Sequence, residues 1–116
     1  MKIVKKENAD LSKYAETSTV LDYSFQLNEK IMDFCINTIS GRYPEKGYCS
    51  NTECDEMGYV IEGNGEIFQK DLDSISFKAG DLIFVKKGDI YYWNGNFKII
   101  LICTPAWSKE QCMLYE

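Results

Sequence analysis

Apolar and polar residues alternate along this chain over short stretches, and turn residues separate those stretches. No segment keeps the 3.6-residue apolar period of a long amphipathic helix. The segment 8–14 is too short for a stable helix of its own and predicts a turn or one short helical segment. The alternation predicts an all-β protein with strands near 2–4, 20–26, 32–39, 56–62, 65–70, 74–77, 81–85, 90–93 and 97–103.

Glycine and asparagine mark the predicted turns between these strands. Residues 63–65, 87–89 and 94–96 all contain glycine beside asparagine or aspartate, which tolerate the positive φ that tight turns require. Many short strands joined in this way are typical of a sandwich or a closed barrel. The segment 41–55 is the one long loop in this reading, and long loops in compact domains often carry function.

Composition and charge narrow the class of protein. The 116 residues predict a single domain, with 45% hydrophobic and 14% aromatic residues. The formal net charge of −5 disfavours a nucleic-acid partner, which needs a basic face. No run of 18 apolar residues indicates a membrane span, and the first ten residues lack an apolar signal core. We therefore expect a cytoplasmic protein whose five cysteines are free thiols.

Two motifs carry a resemblance to a known family. In EMGYVIEGNGEI, Glu56 is followed by six residues and Gly63; in GDLIFVKKGDIYYW, Gly80 and Gly88 keep the expected spacing and Tyr91 follows. This pair resembles the two motifs of the cupin family over about residues 32–107. The resemblance implies one RmlC-like cupin domain over 1–116, a jelly-roll β-barrel also called a double-stranded β-helix.

The chain departs from that family at the metal ligands. Metal-binding cupins use three histidines and a glutamate, but this chain contains no histidine, and Tyr91 stands where one would be. Of the family's ligands only Glu56 remains, and one carboxylate does not make a tight transition-metal site. We predict no metal and no other cofactor. An alternative zinc set is Cys49, Cys54 and Glu56, although four residues separate the cysteines and no second pair follows.

Strand alternation places the candidate pocket residues. If Glu56 points inward, so does Gly58, which either enlarges the cavity beside Glu56 or marks a bulge. Tyr91 and Trp93 share a face and either line the barrel mouth or simply fill the barrel. Arg42, the only arginine, either pairs with Glu56, clamps an anionic ligand or is solvated. The candidate ligand-binding residues are Arg42, Cys49, Asn51, Glu56, Gly58, Tyr91 and Trp93.

These residues support several functions. The first is metal-independent binding of a small polar metabolite, either sugar-like or a carboxylate. The second is a sugar isomerase or epimerase, of the kind the family also contains, in which Glu56 acts as the base and Tyr91 as the acid. A metal-dependent cupin enzyme is the third. We also expect a homodimer, with a surface supplied by residues 14–34, and a terminal segment that lays Trp107 over the barrel or into a partner.

Overall fold

The computed structural model of the protein describes residues 1–116 and is almost entirely β-structure. One α-helix, α1 (Ser24–Leu27), has four residues, and none of the helices has the length and apolarity that a membrane crossing requires. The strands are β1 (Asp10–Ala15), β2 (Ser18–Asp22), β3 (Asp33–Tyr43), β4 (Tyr48–Asn51), β5 (Asp55–Gln69), β6 (Ile75–Lys78), β7 (Leu82–Val85), β8 (Tyr91–Thr104) and β9 (Cys112–Tyr115).

Strand β8 organises the barrel because it pairs antiparallel on both of its edges. On one edge it pairs with β3 over 33–43, and on the other with β5 over 55–69. Strands β1 and β2 extend the sheet beyond β3, whereas β6 and β7 both pair with β5. Strand β4 joins β8 at Cys49 and Tyr91 and pairs with β9. The sheet curls around a core formed by Ile39, Val60, Phe77, Val85, Trp93, Phe97 and Ile99.

Two predicted turns are instead bends inside long strands. Residues 63–65 lie within β5 and residues 94–96 within β8, so four predicted strands merge into two. The two bends face each other, because Gly65 pairs with Gly95 and Asn64 with Asn96. A Cβ on Gly95 would lie 2.5 Å from the Cα of Gly65, so the two backbones approach too closely for side chains. Paired glycines therefore allow both strands to bend together around the barrel.

Four further local predictions are wrong. Residues 2–4 form no strand, and residues 24–26, predicted as the end of a strand, belong to α1. Residues 10–14 belong to β1, and of the segment 8–14 only Asn8 lies in a helical turn, a 3-10 helix over Lys6–Asn8. The segment 41–55 is not one loop, since it contains β4. For β1 and β4 partner strands decide the outcome, because an edge strand or a short strand is stabilised by pairing that the local sequence does not reveal. The turn at 87–89 is confirmed, with Gly88 at φ 88° and the Asp89 N–H bonded to Lys86.

A carboxyl-lined chamber as the candidate site

The barrel interior contains a small chamber of about 80 Å³ beside Glu56. It lies on the inward faces of β2, β3, β4, β5 and β8, and Trp107 and Cys112 of the C-terminal segment also line it. No lysine and no arginine lines it. Its lining includes three carboxyls, Asp22, Asp33 and Glu56; two amides, Asn37 and Asn51; five aromatic rings, Tyr14, Tyr43, Tyr91, Trp93 and Trp107; and four thiols, Cys35, Cys49, Cys103 and Cys112.

Glu56 is a buried carboxyl without a cationic partner. It is 7% exposed, and it points inward as strand alternation predicts. The Cys103 thiol donates to its Oε2 at 3.3 Å. Burial raises the pKa of Glu56, the bond from Cys103 opposes that shift, and the nearby Asp33 adds to it. Glu56 therefore holds its proton to a higher pH than an exposed glutamate.

Asp33 is a second buried carboxyl in the same chamber. Its Oδ2 accepts a hydrogen bond from the backbone N–H of Trp107 at 2.8 Å. Burial raises the pKa of Asp33 against that bond, and the neighbouring charge of Asp22 raises it further. Asp22 uses one carboxylate oxygen to accept from the N–H of Ser24 at 2.8 Å, at the start of α1. None of the three carboxyls forms an ion pair.

Tyr91 and Trp93 both lie on the inward face of β8, as predicted. Of the two alternatives that the sequence left open, lining a pocket and filling the barrel, both apply. Their rings meet edge to face at 5.7 Å and belong to the core, yet both side chains also line the chamber. Burial raises the pKa of Tyr91 well above its ordinary value, so its hydroxyl stays neutral. Burial likewise raises the pKa of Cys49, which faces Tyr91, to about 12.

Trp107 covers the chamber, as one of the two predicted placements required. Its indole Nε1–H donates to Asn51 Oδ1 at 3.0 Å, and its ring lies 6.0 Å from that of Tyr14. The same Asn51 amide also lies close enough to Glu56 to lower the pKa of that carboxyl. Asn51 therefore connects the cover of the chamber to its central carboxyl.

Two predicted site residues lie outside the chamber. Arg42 does not pair with Glu56: its guanidinium donates to the carbonyls of Pro44 and Gly47 at 2.7 and 2.8 Å and lies 3.7 Å above the ring of Tyr92. These contacts take up the guanidinium on the loop after β3. Gly58 faces inward but opens no cavity, because the side chains of Ile99 and Leu101 fill the space in front of it. The bulge lies further along β5, between Val60 and Glu62.

The chamber residues do not assemble a metal centre. No three histidine, cysteine, aspartate or glutamate side chains come together in a group that could hold an ion. The alternative set of Cys49, Cys54 and Glu56 is therefore not brought together as three ligands. Cys54 is fully buried outside the chamber lining, and its thiol contacts that of Cys103. That contact and burial raise the pKa of Cys103, which keeps it a thiol that donates to Glu56.

The sequence analysis did not predict several of the chamber residues. Asp33, Cys35, Asn37 and Ile39 are every second residue of β3 and face inward. The alternation that predicted this strand therefore also indicated that two polar residues face the core. Asp22 and Tyr14 had no such signal. They reach the chamber because β1 and β2 extend the sheet beyond β3.

A second, larger cavity lies on the other side of Tyr91. Its volume is about 350 Å³, and it opens between β6 and β7, which do not pair with each other. Ile67, Phe77 and Ile83 provide apolar walls, and Gln69, which donates to Asp89 at 3.2 Å, provides a polar one. Tyr91 lines both cavities and so forms part of the wall between them.

The raised pKa values of Glu56 and Asp33 predict how stability depends on pH. The folded state holds protons that the unfolded state releases near pH 4, so the free energy of unfolding falls as the pH rises from about 4.3 through the folded pKa values. At pH values above the folded-state pKa, each unit by which that pKa exceeds the unfolded-state value lowers the free energy of unfolding by about 1.4 kcal/mol. Urea unfolding from pH 4.5 to 8 should show this loss, and Glu56→Gln should make the profile flatter.

The matched control for that measurement is Glu62→Gln. Glu62 lies on the outside of β5, where its carboxylate is 4.0 Å from the Lys98 ammonium. The control should keep the wild-type slope. A Glu56→Gln profile as steep as that of the wild type would show that Glu56 does not hold an extra proton in the folded state.

Comparisons with known proteins place this barrel in a class. No family model matches the chain, and no curated protein matches it in sequence. Solved structures do match over nearly the whole chain. They include an RmlC-like cupin from Shewanella frigidimarina, with a TM-score of 0.68 and 14% identity over 90% of this chain and 88% of that one. The protein therefore has the predicted cupin fold.

Two other structures match with higher TM-scores. Pac13 from Streptomyces, described as a unique nucleoside dehydratase, has a TM-score of 0.86 and 14% identity over 100% of this chain and 92% of that one. Variants of Pac13 were solved with uridine. Ectoine synthase from P. lautus has a TM-score of 0.77 and 14% identity, covering 100% of this chain and 91% of that one. At these identities the likeness concerns the fold alone.

Proposed function

We propose that this protein binds a small polar molecule in the Glu56 chamber without a metal ion. The observation that carries the proposal is a cavity in the barrel interior in which polar groups converge on the buried Glu56. Asn51, Cys103 and Asp33 all lie close enough to shift its pKa. Pockets that combine apolar and aromatic walls with a few placed polar groups are typical of small-molecule sites. Cys49, Asn51, Glu56, Tyr91 and Trp93 are the proposed contacts among the residues that the sequence singled out.

The charge of the chamber favours hydroxyl-bearing ligands over carboxylates. A carboxylate would enter beside three carboxyls with no basic side chain to compensate it. Neutral donors, by contrast, are available. The amide of Asn37 accepts from Ser18 through Oδ1 at 3.0 Å, which leaves its NH₂ group without a partner in the protein. Such a donor suits a hydroxyl or carbonyl oxygen of the ligand. Of the two ligand classes expected from the sequence, we therefore retain the sugar-like one.

A thermal-shift screen of small polyols, sugars and carboxylates tests this proposal. A ligand at 100 times its Kd stabilises the folded state by about 2.7 kcal/mol, which corresponds to a rise in Tm of roughly 10 °C for a domain of this size. We expect polyols or sugars to raise Tm and carboxylates not to. Glu56→Gln and Tyr91→Phe should each reduce the shift by more than half.

The same types of substitution, Glu→Gln and Tyr→Phe, at positions outside the chamber provide the controls. Glu62→Gln and Tyr59→Phe change exposed side chains on the outer face of β5 and should leave the shift unchanged. A ligand response that survives in both Glu56→Gln and Tyr91→Phe would place the binding site elsewhere on the molecule.

A second candidate function is acid–base catalysis in the same chamber. The observation that favours it is the pair of buried carboxyls, Asp33 and Glu56, each with a pKa raised toward neutrality. Pac13, a dehydratase with the same fold, shows that a barrel of this kind can support chemistry on a small molecule. Burial makes Tyr91 a weaker acid than an ordinary tyrosine. Of Glu56 and Tyr91, Glu56 is therefore the better proton donor. This function would be established if the wild type converts one of the screened ligands and Glu56→Gln abolishes that conversion.

We also propose that the protein is a homodimer and that one outer sheet face forms the contact. Two neighbouring rows of outward side chains, in register across paired strands, consist of apolar and aromatic residues. Side chains such as Leu82 and Phe84 are left exposed to solvent. One row is Phe84, Met57, Ile102 and Phe34; the next is Leu82, Tyr59, Ile100, Ile36, Leu21 and Leu11.

The exposure and rim of this outer face suit a second copy of the chain. Five of its side chains, Leu11, Met57, Tyr59, Leu82 and Phe84, are 44–72% exposed. Polar groups border it: Glu62 and Lys98 at one end, Asp55 and Thr104 at the other. An apolar centre with a polar rim is the usual anatomy of a protein interface. Of the residues 14–34 predicted to supply the contact, only Leu21 and Phe34 lie on the proposed face.

Light scattering coupled to size-exclusion chromatography tests the dimer. We expect a dimer for the wild type, and Leu82→Lys should raise its Kd at least tenfold because it would bury two like charges near each other. The matched control is Leu72→Lys, since Leu72 is 65% exposed and Leu82 62% exposed, but Leu72 lies in the turn before β6. A monomeric wild type, or equal effects of the two variants, would contradict the proposal.

A further inference from the structure

We propose that the ligand of the Glu56 chamber carries a cationic nitrogen together with a hydroxyl or carbonyl oxygen, as small amino alcohols and amino sugars do. This inference rests on the proposed small-molecule site and names the class of molecule that the site accepts. It follows from which charges the chamber holds, which donors it leaves unpaired, and how much space it encloses.

The chamber holds carboxyl groups that no basic side chain of its lining compensates. Asp22, Asp33 and Glu56 line one chamber and no lysine or arginine does. Glu56 and Asp33 are each 7% exposed, so water compensates them poorly. The nearest basic group whose field reaches the chamber is Arg42, which acts on Cys49, and its guanidinium is taken up by carbonyl groups and a tyrosine ring. A cation entering the chamber would supply the missing countercharge.

The aromatic walls suit the same group. Tyr14 and Trp107 lie side by side at 6.0 Å over the chamber, and Tyr91 and Trp93 lie within it. Aromatic faces attract ammonium groups through their quadrupole, and the attraction grows when the site is shielded from water. Carboxyls and aromatic rings without a competing base therefore form a consistent setting for an ammonium group.

Unpaired donors supply an independent indication of a ligand. The side chain of Asn37, 7% exposed, keeps its NH₂ group without a partner, because only its Oδ1 is bonded, to Ser18. The indole N–H of Trp93, 3% exposed, also has no acceptor within the protein, whereas that of Trp107 bonds to Asn51. Neither nitrogen is sealed off from solvent, because among the side chains only the Gln111 nitrogen is fully buried without a partner. A ligand oxygen would satisfy these two, and a bare ammonium group would not.

The volume limits the size of the group that enters. About 80 Å³ accommodates a few non-hydrogen atoms and is far below the several hundred Å³ of a site for a whole drug-sized molecule. The chamber therefore encloses a small molecule, or the amine-bearing end of a larger one. Ethanolamine, ethylene glycol and glycolate are similar in size and differ in charge, which makes them suitable probes.

The test is a titration of the full-length protein with these three compounds, followed by NMR through the indole N–H signals of its two tryptophans. We expect ethanolamine to bind at least tenfold more tightly than ethylene glycol, and glycolate not to bind. Its affinity should fall as the pH is lowered from 8 to 5, because protonation removes the charge of the carboxyls. The titrating groups that face Glu56 are Asp22, Asp33, Tyr14, Tyr43, Tyr91, Cys35, Cys49, Cys103 and Cys112.

Two variants connect the preference to the chamber. Glu56→Gln should reduce the ratio of the ethanolamine and ethylene glycol affinities to less than threefold, and Glu62→Gln should leave it unchanged. If Glu56→Gln does not fold, Asp33→Asn and the pH dependence of the wild type provide the same readout.

The possible failures are distinguishable. Equal or tighter binding of ethylene glycol would overturn the cationic class and leave the proposed small-molecule site intact. Tightest binding of glycolate would overturn the cationic class and the exclusion of carboxylates. If none of the three binds while sugars still give a Glu56-dependent thermal shift, the cationic class is wrong. If sugars give no such shift either, the proposed function fails with it.

Discussion

Gly63→Ala should destabilise the protein by about 3 kcal/mol or more, because it combines two separate costs. Gly63 has φ 81°, which costs an alanine about 1–2 kcal/mol. In addition, a Cβ there would collide with the carbonyl oxygen of Asn96 and lie 2.9 Å from the Cα of Phe97 on the paired strand. Both obstacles are backbone atoms of β8, which cannot move without disturbing the pairing of β5 with β8.

Gly80→Ala separates the two costs. Gly80 also has a positive φ, 96°, but a Cβ there would meet nothing within 4 Å. It should therefore cost only the 1–2 kcal/mol of the backbone conformation. Urea unfolding of both variants gives the difference. If they are equally destabilised, the strands can separate at the bend and the close approach of β5 and β8 does not constrain the fold.

Trp93→Ala should cost about 3–5 kcal/mol, the usual range for removing a large aromatic side chain from a core. Trp93 is 3% exposed, and its ring lies within 5.7 Å of those of Phe77, Tyr91 and Phe97. With typical domain stabilities of about 5–15 kcal/mol, this one change removes a large part of the total. The loss occurs at the centre of the barrel, where β3, β5 and β8 all contribute to packing.

The measurement is again the midpoint and slope of urea unfolding. Trp93→Phe serves as the control, because a smaller ring retains most of the aromatic contacts and should cost about half as much or less. Tyr92→Ala removes a half-buried ring from the opposite face of the same strand and should cost less than Trp93→Ala. A loss below 1 kcal/mol for Trp93→Ala would mean that the neighbouring rings close the cavity.

The strand pattern illustrates what local sequence can predict. Alternation correctly placed Glu56, Gly58 and Val60 on the inside of β5 and Tyr91 with Trp93 on the inside of β8, because side-chain direction in a strand has a fixed period of two. The glycine runs at 63–65 and 94–96 read as turns because glycine permits both a turn and a close strand-to-strand approach. Only the pairing of Gly65 with Gly95 identifies them as matched bends.

The residues of the candidate site also fall into two groups: those that the sequence predicted and those that only strand pairing brings into the chamber. Strand alternation and the family resemblance together led to Glu56, Tyr91 and Trp93. Asp22, Asp33 and Tyr14 join them only because strands distant in sequence pair beside β8. Arg42 illustrates the opposite case: its charge suggested a partner for a buried carboxyl, but at the end of β3 the carbonyls of Pro44 and Gly47 bind its guanidinium. Local chemistry identifies possible partners, whereas the folded backbone decides which of them are within reach.

The sequence by itself determined the all-β class, the inward and outward faces of the main strands, and the absence of histidine from any site. These properties depend on residue identity and on the period of two, which each segment carries alone. The tertiary structure alone decided that three carboxyls share one chamber without a base and that Trp107 lies over it. It also decided that apolar residues of β7, β5, β8, β3, β2 and β1 lie in register on one outer side of the sheet. Those properties depend on the register between strands, which the curling of the whole sheet fixes.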